Sequence, residues 1–150
     1  MAFDAAAVRA LLDAVVSHAQ DLGVFDRVNY HEPKNAPGRG LSCSVWVQSI
    51  QAVPAASGLA AVSGRVTLNI RLYTSMLAEP QDDIDKLLLS AATTLLGEYS
   101  GNFTLGGTVR DIDLMQLNAQ AGYLQQDGKV FRVIVITLPI VINDIWGEVA

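Results

Sequence analysis

The chain has 150 residues, 51% of them apolar and only 17% charged, with a formal net charge of −5 and a single cysteine. That length suits one domain with its own core, and the composition excludes a disordered chain, which needs low hydrophobicity and high charge. The acidic balance argues against a binder of nucleic-acid backbones, and the lone Cys43 excludes a disulfide scaffold.

Charged residues reach about 25% in an ordinary soluble domain, so this chain carries an aliphatic excess. No stretch approaches the roughly 18–20 uninterrupted apolar residues of a spanning helix. The start, Met1-Ala2-Phe3-Asp4, has no basic segment leading into an apolar one, so no secretory signal is expected. Surface-to-volume scaling limits how large a core so short a chain can build. The excess therefore predicts a subunit that buries apolar surface against copies of itself or a partner.

In chain order, Asp4 is a plausible N-cap for a first helix. Val8, Leu11, Leu12, Val15, Ala19 and Leu22 recur at three-and-four spacing, and Gly23 stands where a C-terminal glycine belongs. Val24 to His31 reads as a short strand, with Val24, Val28 and Tyr30 on one side. Glu32 to Gly40, with two prolines and two glycines, is a loop that carries local positive charge. Leu41 to Val53 alternates, Leu41, Cys43, Val45 and Val47 against Ser42, Ser44, Trp46 and Gln48, which predicts a strand with a polar face.

Pro54 to Ala61 is a second loop of small apolar residues. Val62 to Thr74 is the clearest strand, Val66, Leu68, Ile70 and Leu72 alternating with Thr67, Asn69, Arg71 and Tyr73. Glu79-Pro80 and the acids that follow start a second helix, where proline lacks nothing it needs and the helix dipole favours negative charge. Its predicted buried stripe is Ile84, Leu87, Leu88, Ala91, Leu95 and Tyr99, ended by Ser100-Gly101. Phe103–Leu105 and Thr108–Leu114 read as strands around Gly106-Gly107. Ala121–Gln126 and Lys129–Ile142 form a hairpin through Asp127-Gly128. The last strand is apolar on both faces, with Ile134, Ile136 and Leu138 on one and Phe131, Val133, Val135 and Val141 on the other. That pattern predicts a central strand covered on both sides, bent or at an edge where Pro139 cannot donate. The whole reads as a single α+β domain spanning 1–150. It has a mainly antiparallel sheet and two helices on one face, in the order helix, three strands, helix, three to four strands.

Chemistry is sparse. Cys43 falls on the inward face of a strand, where a buried cysteine is the ordinary outcome, and nothing orients a Cys43–His31 dyad. His18 lies on the first helix without a metal-ligand spacing. Asp82, Asp83 and Asp85 diverge around a helix start and make a poor cation cage. Asp111 and Asp113 share a strand face, as a hydrolase pair would, but more often such a pair is a solvated strand face. No glycine-rich phosphate loop or nucleophile elbow is present. No catalytic, cofactor or metal site is expected.

Several phrases along nearly the whole chain carry a resemblance. They are Gly23-Val24-Phe25-Asp26-Arg27-Val28-Asn29-Tyr30-His31-Glu32-Pro33-Lys34, Pro54-Ala55-Ala56-Ser57-Gly58-Leu59, Asn69-Ile70-Arg71-Leu72-Tyr73 and Glu79-Pro80-Gln81-Asp82. Further on come the run from Tyr99 to Gly107, Ala121-Gly122-Tyr123-Leu124 and Asn143-Asp144-Ile145-Trp146. With them the chain resembles the tail terminator (tail completion) proteins of long-tailed bacteriophages that infect actinobacteria. The resemblance implies a structural virion protein of the tail neck, assembled in the host cytoplasm. It also implies a homo-hexameric ring that caps the tail tube and meets a head-completion or connector protein, with DNA passing through the lumen.

A ring needs head-to-tail contacts between different faces of neighbouring subunits. The two-sided strand Val130–Ile142 and the Pro54–Ala61 loop are the candidates. Expected interface positions are Glu32, Lys34, Arg39, Ala55, Leu59, Arg71, Tyr73, Phe131, Val133 and Val135. A head–tail connector, or a small hydrolase or ligand-binding domain using Asp111, Asp113 and His31, are the alternative readings.

Overall fold

The computed structural model describes residues 2–3, 5–30, 41–52, 61–75, 81–101, 111–112, 117–126 and 128–147. In chain order these form β1 (Ala2–Phe3), α1 (Ala5–Asp21), β2 (Arg27–Asn29), β3 (Ser42–Ala52) and β4 (Ala61–Ser75). A 3-10 turn (Gln81–Asp83) leads into α2 (Ile84–Gly101), followed by β5 (Asp111–Ile112), β6 (Asn118–Gln126) and β7 (Lys129–Gly147). The architecture is α+β, as the sequence predicts, with a two-residue strand added before the first helix.

The strands make one seven-stranded sheet built around β7. One edge of β7 pairs with β4, which continues through β3 to β2; the other edge pairs in turn with β6, β5 and β1. All pairings are antiparallel except β2 with β3. The parallel start is pinned at Asp26, whose N–H donates to the Leu41 carbonyl at 2.7 Å while its Oδ2 accepts from the Leu41 N–H at 2.8 Å. The expected strand over Val24–His31 shrinks to Arg27–Asn29, and Val24 and Tyr30 are exposed.

Both helices lie on one face. Leu11, Val15, Val16 and Ala19 of α1 and Leu88, Ala91, Ala92 and Leu95 of α2 form one buried cluster. With them pack Cys43 and Val45 of β3, Val66, Leu68, Ile70 and Leu72 of β4, and Ile136, Leu138, Ile140 and Ile142 of β7. Burying this apolar area is the main force holding the layers together. The α2 stripe is rotated from expectation: Leu87 is exposed and Ala92 takes its place inside. The α1 stripe likewise includes Val16, which the spacing left out.

Two irregularities correct the simple alternation. On β3 the register slips between Val47 and Ser49, so that Gln48 is the extra residue. Strict alternation would aim Ser49 at the helices; the bulge restores Ile50 to the core face, where it packs beside Val47. On β7 the register with β4 shifts between Ile142 and Trp146. The strand thereby runs past the expected end at Ile142 and reaches Phe3 of β1 through Trp146. Pro139 neither ends β7 nor places it at an edge. It keeps its place opposite Thr67, and on the other side it falls between the Asn118–Thr137 and Ile112–Ile140 pairings, where a missing N–H is tolerated.

Two glycines do what their positions predict. Gly23 (φ +70°) closes α1, its N–H donating to the Gln20 carbonyl at 3.1 Å. Gly128 (φ +73°) turns the β6–β7 hairpin, closed by the Gln126–Lys129 pair.

Candidate interaction surface

The sheet has a second face, opposite the helices. Part of it is closed within the single chain. Tyr73, Phe131 and Val133 are buried together, with Leu124 packed against them. The Tyr73 and Phe131 rings meet edge to face, centroids 6.5 Å apart and planes at 77°. Ser42 and Ser44 of the supposed polar face are buried as well, and the Ser44 hydroxyl is satisfied by the Tyr73 hydroxyl at 2.7 Å. In the single chain Tyr73 and Phe131 are 1% exposed and Val133 5%. Pairing of β4 with β7 sets Tyr73 opposite Val133, and that neighbourhood buries them.

Arg71 and Val135 remain half-exposed on the same face. With Gln120, Gly122, Leu124 and Val133 they line an open depression of about 210 Å³. The Arg71 guanidinium lies 4.9 Å from the centre of the Trp46 ring, a cation–π contact that fixes its direction. The sequence contains no signal for this pair, because Trp46 and Arg71 meet only through the β3–β4 register, diagonally across Ser44 and Asn69.

The second feature lies on the helix side, where α2 meets the β6–β7 hairpin. Asp85, Leu88, Leu89, Ala121, Arg132 and Ile134 line a recess of about 180 Å³. Arg132 ties its walls together. Its Nε donates to Asp85 Oδ1 at 2.9 Å, its Nη1 donates to the Gly122 carbonyl at 3.0 Å, and its guanidinium lies 4.5 Å from the centre of the Tyr123 ring. The hydrogen bond to Asp85 raises the guanidinium pKa further. Leu89 in its lining is exposed, as are Leu87 on α2, Tyr123 on β6 and Val130 on β7.

Those residues weighed for chemistry that are described lie on separate elements, apart from the neighbouring acids at the start of α2. Cys43 is buried in the core, and desolvation pushes its thiol up to about 12, so it stays protonated and inert. Asp82 and Asp83 sit exposed on the 3-10 turn, while Asp85 turns to Arg132. Asp111 lies on β5 opposite Val141, and His18 is half-buried on α1. Among the described residues no group of three or more His, Cys, Asp or Glu is arranged to hold a metal, and no helix is long and apolar enough to cross a membrane. His31, Asp113, Glu32, Lys34, Arg39, Ala55 and Leu59 lie outside the described residues.

Compared with known proteins, the chain matches no family description and no curated sequence.

Proposed function

We propose that the chain is a structural subunit of a bacteriophage tail, acting as a tail terminator. Six copies close into a ring on the finished tail tube, stop its growth and present the surface that a head-completion or connector protein meets. Genomic DNA passes through the ring without sequence-specific contact, and no reaction is catalysed. The reading rests on the resemblance carried by phrases along nearly the whole chain.

The observation that supports it best is the uneven dressing of the sheet. The helices cover one face, while among the described residues β6 exposes uncharged side chains, with Leu89 and Val130 exposed as well. The acidic balance adds a compatible trait, since like charge on a ring wall discourages DNA from sticking.

The test is to mix the purified protein with isolated tail tubes. The expected result is a six-copy ring at tube ends by electron microscopy, with light scattering giving the matching mass. A chain that stays monomeric and leaves tubes uncapped overturns the proposal. Binding to the head connector with no affinity for tubes replaces it with the neck-protein reading. A Leu59→Glu variant is expected to fold normally and fail to form rings.

A further inference from the structure

We draw no further inference here: the strongest candidate, the recess between α2 and the β6–β7 hairpin walled by Leu88, Leu89, Ala121 and Ile134, is an apolar surface for which nothing in the structure shows what covers it.

Discussion

Ser44 Oγ and Tyr73 OH lie 2.7 Å apart, both buried, on the side of the sheet away from the helices. Each hydroxyl is the other's answer to desolvation. Leaving one buried hydroxyl unpaired costs about 1–3 kcal/mol, whereas removing both partners is nearly neutral. Tyr73→Phe and Ser44→Ala are each expected to lose about 1–2 kcal/mol in urea denaturation, from the same principle. The double variant should lose clearly less than the sum. Strict additivity across this cycle would show that the bond contributes nothing.

Arg132 makes one contact to α2, the ion pair with Asp85, and two within the hairpin, to the Gly122 carbonyl and the Tyr123 ring, while the Asp85 side chain is 72% exposed. An exposed ion pair contributes about 0.2–1 kcal/mol. Asp85→Ala is therefore a small change in the denaturation midpoint, and Arg132→Ala a larger one. Arg132→Lys should not restore stability, because an ammonium cannot reach the carboxylate and the Gly122 carbonyl while stacking on Tyr123. Equal losses for the alanine variants at positions 85 and 132 would contradict the arrangement.

Ile136 and Ile134 stand two apart on the helix face of β7 but differ in surroundings. Ile136 is fully buried; Ile134 is half-buried and borders the recess beside Arg132. Ile136→Asp places an unpaired charge in the core and is expected to abolish cooperative unfolding, while Ile136→Val costs about 1 kcal/mol. Ile134→Asp should still fold, with circular dichroism close to wild type. A folded Ile136→Asp variant would refute the burial of that face.

Cys43 reports on the core. Its thiol keeps its proton up to about 12 in the folded chain, against a reference value of 9.0. The unfolded chain therefore gives up this proton first, and the stability linked to Cys43 is whole below pH 9 and declines as pH rises toward 12. In native protein at pH 8 a thiol reagent is expected to react only at the rate of unfolding, and Cys43→Ala should flatten the alkaline decline. Fast labelling without unfolding would contradict the burial.

Much of this was legible along the chain. The three-residue and four-residue spacing of Leu11, Val15 and Ala19, the two-residue alternation from Val66 to Leu72 and the Asp127-Gly128 turn are local signals, and local physics produces them. The misplaced details share another cause. Leu87 and Ala92 exchanged roles because the direction in which α2 packs on β4 and β7 is not written in α2. Gln48 was not recognisable as a bulge, because only the need to return Ile50 to the core reveals it.

The sequence by itself determined the fold class, the two helices, the central two-faced strand β7 and an uncharged β6, because each follows from side chains near one another in the chain. Only the tertiary structure decided which apolar residues remain available to a partner. Strand register brought Tyr73 beside Phe131 and Val133 and buried them together, and among the described residues it left Tyr123 and Leu89 exposed. Hydrophobicity says that a residue tends to be buried, but contacts between strands distant in sequence decide whether its own chain does the burying.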